Sequence, residues 1–391
     1  MTETPAIRRH YEPTAIRRHY GMDWLRIGAF AILILYHIGM VFVPWNFHAK
    51  SHHVERWATV PMLAVNAWRL TLLFVVSGYA SRALLARSHG LGRFVRDRSW
   101  RLLVPLAFGV AVVVPPQAWV ELVLRYGYPA GYLHFWTHDY FTFRQLGQVT
   151  VPTWNHLWFV GYLWFYTALL AIGVAAVRIR RAQHGFDWLF GTALGGVGVI
   201  VVPLAWSTAI HARWFPMVGE THALVGDWIA HLSYFPAFLF GFALARSPAT
   251  MHAIGRWWPV GAVLAIAGYA YIVGIERGWI GPWGPALFAR YGIAHAAQQW
   301  GAIVALIGIA ERWFNRDAPI RATLTEAVFP FYLVHQTIIV VVAYVLWNSA
   351  LTAGQEFAVL VAATVAGCTA FYYGGRAVPW LRPLIGLRRT S

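Results

Sequence analysis

Between Asp23 and His37 the chain reads DWLRIGAFAILILYH, and the ten residues from Ile27 to Tyr36 carry no charge. Apolar runs of about 20 residues recur along the chain, each long enough to cross a hydrocarbon core of roughly 30 Å. Their approximate limits are 24–45, 61–85, 102–124, 155–177, 188–206, 228–246, 257–275, 289–310, 326–347 and 356–378. The pattern predicts an all-α protein, a polytopic transmembrane helical bundle of about ten spans. A transmembrane β-barrel would show shorter alternating strands instead.

Composition strengthens that reading. Hydrophobic residues make up 59% of the 391, charged residues 12%, and there are 22 Trp, too apolar a balance for a soluble domain of this length. The net charge of +16 points to nucleic acid only until its distribution is considered. Arginines cluster in short loops between apolar runs, as the positive-inside rule expects of cytoplasmic loops. The opposite loops hold only Lys50, Arg56, Arg125, Arg144, Arg213 and Arg277, while Arg69 and Arg290 fall inside spans. The imbalance predicts both termini inside, membrane lipids as partners and no nucleic acid.

The same division gives a basic cytoplasmic segment over 1–22, a transmembrane domain over 23–380 and a cytoplasmic tail over 381–391. The first apolar segment lacks a small-residue cleavage site and reads as a retained span. Cys368 is the single cysteine, so no intrachain disulfide is expected. AIRRHY occurs at Ala6–Tyr11 and again at Ala15–Tyr20. It is either a basic collar for anionic headgroups or a short duplication or misplaced start. The long outer loop, about 125–154, is crowded with aromatic rings. They suit an interfacial belt and also stacking on sugar faces.

Polar residues inside the spans carry the candidate chemistry. Arg26 and His37 are eleven residues apart, three helical turns, so they share a face, with His37 about 16 Å deeper. Asp23 lies one turn before Arg26 and is placed to orient it. Such a line of polar groups marks a pathway or a reaction site; a packing role for the histidine is the alternative. In RFVRDRSWRLLVP, Arg98 and Arg101 stand one turn apart behind Arg93 and Arg96. Guanidinium forks at that spacing match phosphate oxygens, although positive-inside bias also places arginines here. EAVFPFYLVHQT brings His335 to similar depth, with Glu326 at the entrance and Pro330 between them. Asn66, Arg69, Asn155, His156, His295, Gln298 and Gln299 are further candidates to line a cavity. Arg69 needs a carboxylate, a carbonyl or a substrate as partner. Ser77-Gly78 reads as a site of close helix approach. No metal-ligand spacing, Walker loop or G-x-S-x-G elbow is present.

YGMDWLRIGAFAILILYH, LLFVVSGYASR, RDRSWRLLVP, HLWFVGYLWFY and FPFYLVHQTII, in this order, resemble acyltransferase family 3, the bacterial integral-membrane acyltransferases, and within it the glucan-biosynthesis C-type branch. The resemblance implies ten or so membrane helices and transfer of an acyl group, generally from cytoplasmic acyl-CoA, to hydroxyls of extracytoplasmic glycans or lipids. It also implies an essential pair in Arg26 and His37, donor binding by Arg98 and Arg101, and a site histidine in His335. The expected enzyme is an O-acyltransferase of the bacterial inner membrane with no tightly bound cofactor and acyl-CoA as donor substrate. Arg98 and Arg101, helped by Arg26, would hold the donor phosphates, His37 would serve as general base, and His335 would bind or polarise the thioester. The rival reading is a transporter or flippase for a glycan or lipid precursor, which would show related halves or matched broken helices.

Overall fold

The computed structural model describes residues 19–214, 218–281 and 284–389. The first AIRRHY copy and most of the second lie outside that range. The chain is a polytopic bundle of helices, and the strands found among the described residues are the short pair Arg144–Leu146 and Val149–Val151 in the aromatic loop.

In chain order the helices are α1 (Tyr20–Gly39), α2 (Thr59–Asn66), α3 (Arg69–Arg87), α4 (Leu91–Phe108), α5 (Pro115–Tyr126), α6 (Trp158–Ala176), α7 (Ile179–Phe186) and α8 (Gly198–Arg213). They continue with α9 (Trp228–Leu244), α10 (Pro248–Glu276), α11 (Pro285–Trp313), α12 (Pro319–Val345) and α13 (Ala353–Ala377). Three of the longest, α10, α11 and α12, begin on a proline, whose missing N–H costs nothing in the first turn. Thr352 and Gln355 close a capping box at the start of α13, so two of its orphan donors are satisfied reciprocally.

Among the described residues eight helical segments are long and apolar enough to cross a membrane. The expected ten differ from this in two places. The segment placed at 188–206 is not one straight helix: Ile179–Gly196 and Gly198–Arg213 meet at 109°. The cause is Leu194-Gly195-Gly196, all in the left-handed region at φ 47°, 68° and 78°, where only glycine sits without strain. The segment placed at 228–246 is α9, 17 residues long. Counting the bent pair as one span gives nine.

Packing of α3 on α9 depends on Gly78 and Gly241. A Cβ on Gly78 would fall 1.9 Å from the carbonyl oxygen of Phe238, and one on Gly241 would fall 1.9 Å from that of Val75. Backbone therefore meets backbone, as expected for Ser77-Gly78, and a methyl at either position would push the helices apart. Beside this contact Phe74 is fully buried against Phe159, Tyr166 and Tyr234. Alongside, α1 packs on α12, α11 and α3, which brings side chains some 300 positions apart in sequence into contact.

Candidate functional site

Two cavities open in the bundle. The first, about 430 Å³, opens near the Gly39 end of α1 and is lined by His37, Arg69, Asn155, His156, Tyr332 and Gln336 among others. The second, about 740 Å³, lies where the end of α3 meets the start of α4 and the C-terminal tail.

In the first cavity three histidines are ordered by one turn of α12. His335 is fully buried, and its Nδ1 lies 2.7 Å from the carbonyl oxygen of Tyr332. A carbonyl only accepts, so Nδ1 carries the proton and, in the neutral ring, Nε2 is an acceptor. That Nε2 lies 2.8 Å from Nδ1 of His37, which must then donate. The tautomer of His37 follows from these bonds: its Nε2 keeps a lone pair. The two rings are stacked with centroids 5.0 Å apart, and Phe47 also stacks with His37. His156 donates from Nε2 to the carbonyls of Tyr332 and Leu333, at 3.2 Å each, and stands edge-on to His335. The Tyr332 hydroxyl returns a hydrogen bond to the carbonyl of His156. Among the described residues no group of three His, Cys, Asp or Glu is placed to hold a metal ion.

An amide network fixes the turn that carries His156. Gln117, fully buried, donates to Thr337 at 2.6 Å and accepts from Asn155 at 3.0 Å and Gln336 at 3.1 Å. At the rim Glu121 holds His48 at 2.5 Å and Arg125 at 3.1 Å. Lys50, in the loop after α1, donates to the carbonyls of Met40 and Val43 at 2.6 and 2.7 Å. Burial, with Arg125 nearby, pushes its pKa down to about 8.

The second cavity is an arginine bowl. Arg87 comes from the end of α3, Arg93, Arg96, Arg98 and Arg101 from α4, and Arg388 and Arg389 from the tail, with Asp97 as the carboxylate among its lining residues. Arg98 donates to Ser81 at 3.3 Å, and its Nε is buried without a partner. Arg26 donates to the carbonyl of Thr325 at 3.0 Å, its Nε is likewise unpartnered, and it lies within electrostatic range of Arg98. On the face that Arg26 and His37 share, Phe30 presses edge-on against Tyr332 and Phe159.

Of the sequence candidates, the structure brings His37, His156 and Arg69 to one cavity, with buried His335 hydrogen-bonded to His37, and Arg98 and Arg101 to the other, with Arg26 within electrostatic range of Arg98. Asp23 pairs with Arg321 at 2.8 Å, a residue that also holds Asp317, and its charge acts on Arg26 as well. Glu326 turns away from both cavities, accepting from Tyr372 at 3.0 Å with Arg376 at 3.5 Å, because its position on α12 faces α13. His295, Gln298 and Gln299 also stand apart. Gln299 accepts from Ser207 and donates to Thr71, Gln298 donates to Leu63, and His295 stacks on His211. Pro330 does not interrupt α12, which runs unbroken to Val345. The residues missed were Gln117, Gln336, Tyr332, Glu121 and the tail arginines. Gln336 beside His335 and Gln117 just after Pro115-Pro116 were the available signals, each a polar side chain inside an apolar run.

Fold and site together define a multi-pass membrane protein with a polar chamber inside its helical bundle. A family model described as an acyltransferase domain matches residues 19–373. The chain belongs to that family, acyltransferase family 3, and is an acyltransferase. Glucans biosynthesis protein C of Salmonella paratyphi B, Salmonella heidelberg and Salmonella dublin each match at 24% identity over 162 residues, 41% of this chain. The match takes in 39% of those relatives' own length. No solved structure matches the chain.

Proposed function

We propose that the protein is an O-acyltransferase of a bacterial inner membrane, moving an acyl group from cytoplasmic acyl-CoA to a hydroxyl of an extracytoplasmic glycan or glycolipid. The observation that carries this is the His335–His37 chain, which leaves a lone pair on Nε2 of His37 inside a cavity. A neutral imidazole held in one tautomer is the form a general base needs.

The arginine bowl suits the donor's other end. Seven guanidinium groups against one carboxylate match a ligand with several phosphate groups. With the phosphates held there, the pantetheine arm points along α1 past Arg26. The roughly 16 Å from Arg26 to His37 is a distance such an arm spans. The acceptor hydroxyl gives its proton to Nε2 of His37 as its oxygen bonds to the thioester carbon. Collapse of the tetrahedral anion breaks the C–S bond, and the departing thiolate takes the proton back from His37. His335 acts through His37 as its orienting partner, and the acyl group passes directly to the acceptor.

The transporter reading calls for broken helices in matched positions. The one broken pair found among the described residues contributes nothing to the lining of either cavity. The test is mass spectrometry of surface glycans and glycolipids from cells with and without the gene, alongside cells carrying H37A. A mass increment lost in both the deletion and the H37A cells is expected. An increment retained with H37A at normal protein level would refute the base assignment.

A further inference from the structure

Among the described residues three arginines are at least nine-tenths buried, and they are accommodated differently. Arg321, 4% exposed, holds Asp23 and Asp317. Arg82, 8% exposed, lies on the Phe242 ring within range of Asp187. Arg69, 9% exposed, has no carboxylate within ion-pair distance among the described residues and donates to Asn66, through the backbone oxygen at 3.0 Å and Oδ1 at 2.5 Å. Its Nε is buried without a partner.

Arg69 is nonetheless held firmly. Its guanidinium carbon sits 3.5 Å above the Tyr36 ring, and the Tyr36 hydroxyl donates to the same Asn66 oxygen at 3.0 Å. Tyr36 is the neighbour of His37 on α1, the two rings meet edge-on, and the charge of Arg69 reaches His37. The carboxylate in the cavity wall, Glu121, is already engaged by His48 and Arg125. A buried cation with no counter-charge is expensive in a membrane interior. A fixed cation of this kind stabilises negative charge that appears during a reaction, because it needs no reorganisation when that charge develops.

We infer that Arg69 is the anion-binding group of the reaction chamber, placed to hold the oxyanion of the tetrahedral intermediate. The inference rests on the acyl-transfer reading. As the acceptor oxygen bonds to the thioester carbon, the carbonyl π pair moves onto oxygen, where the unpartnered Nε of Arg69 donates to it. When the pair returns, the C–S bond breaks and the oxyanion is discharged. The same guanidinium chemistry would also fit a carboxylate at the far end of a dicarboxylic acyl chain, and the choice of donors separates the two sources.

The experiment uses the full chain in lipid nanodiscs and follows CoA release from acetyl-CoA and from succinyl-CoA, with a cell-surface glycan extract as acceptor. R69Q should lower kcat about 100-fold or more on both donors, with KM changed by no more than about threefold, and R69K should recover part of the loss. A loss confined to succinyl-CoA overturns the oxyanion role and assigns a carboxylate subsite. Unchanged kcat on both donors overturns the inference outright. If R69Q does not yield monodisperse protein, N66A replaces it, since it frees the guanidinium while keeping the charge. A kcat reduced about tenfold on both donors is then expected, and an unchanged one overturns the proposal. Wild-type protein that releases no CoA from either donor refutes the acyl-transfer reading itself. Wild-type turnover with an indifferent R69Q refutes only the role of Arg69.

Discussion

The two cavities differ in what their titratable side chains do. The bowl gathers arginines from three separate segments, most of them with exposed guanidinium groups, and leaves their charge largely uncompensated. At the histidine cavity the hydrogen bonds of His37, His335 and His156 run to carbonyls and to one another, so these three rings need no charge at rest. Exposed positive charge binds a multivalent anion reversibly and with strong dependence on salt. A neutral imidazole fixed in one tautomer moves a proton. On the proposed reading, binding and chemistry fall to different cavities.

The comparison breaks most sharply at His37. H37A should reduce kcat about 1,000-fold while the affinity for acyl-CoA stays close to wild type. Isothermal titration with acyl-CoA beside a CoA-release assay reads the two quantities separately. A variant that lost donor binding in parallel with kcat would show that the cavities are one site.

His335 tests whether the orientation of the base matters apart from its presence. H335Q keeps a polar side chain on α12 but no longer fixes the proton on Nδ1 of His37. A kcat reduced about 100-fold, with donor affinity unchanged, is the expected result. Equal losses in H335Q and H37A would instead place His335 in contact with the substrate.

At the other cavity, R98Q combined with R101Q should raise KM for acyl-CoA about 30-fold, equivalent to about 2 kcal/mol, and leave kcat within a few-fold of wild type. The remaining affinity should be less sensitive to salt than that of the wild type. If KM does not move, the two arginines act only as topology signals.

Legibility in the sequence follows the range of the interaction. The Arg26–His37 face could be read from spacing alone, because both residues lie on one regular helix. The close approach at Ser77-Gly78 was readable too, since small residues in an apolar run have few other uses. The His37–His335 contact spans 298 positions and exists only because α1 packs on α12, a pairing that no local pattern encodes. Asp23 illustrates the same limit in reverse. Its nearest basic neighbour in sequence is Arg26, but a doubly paired Arg321 arrives from across the bundle. The fifth apolar run was misjudged for a local reason, because hydropathy does not register the left-handed turn at Leu194-Gly195-Gly196.

The tail gives the smallest effect and the finest division between binding and chemistry. Arg388 and Arg389 follow two features that fold the chain end back over α4: the left-handed Gly386, and Arg382, whose Nε donates to the carbonyl of Arg388 at 2.7 Å. Arg389 then lies over the Trp100 ring at 5.6 Å, so the tail closes one wall of the bowl. By sequence position these arginines are ordinary positive-inside residues, and that role requires charge near the membrane without any particular geometry. R388Q combined with R389Q should raise KM for acyl-CoA about threefold at low salt, and the difference should fade as ionic strength rises, because exposed charges are screened. Moving the two arginines beyond Ser391 keeps the count of positive charges on that side but removes them from the wall. If the relocated pair restores wild-type KM, the tail contributes only a diffuse field. If KM stays raised, the bowl recognises the donor through the folded tail.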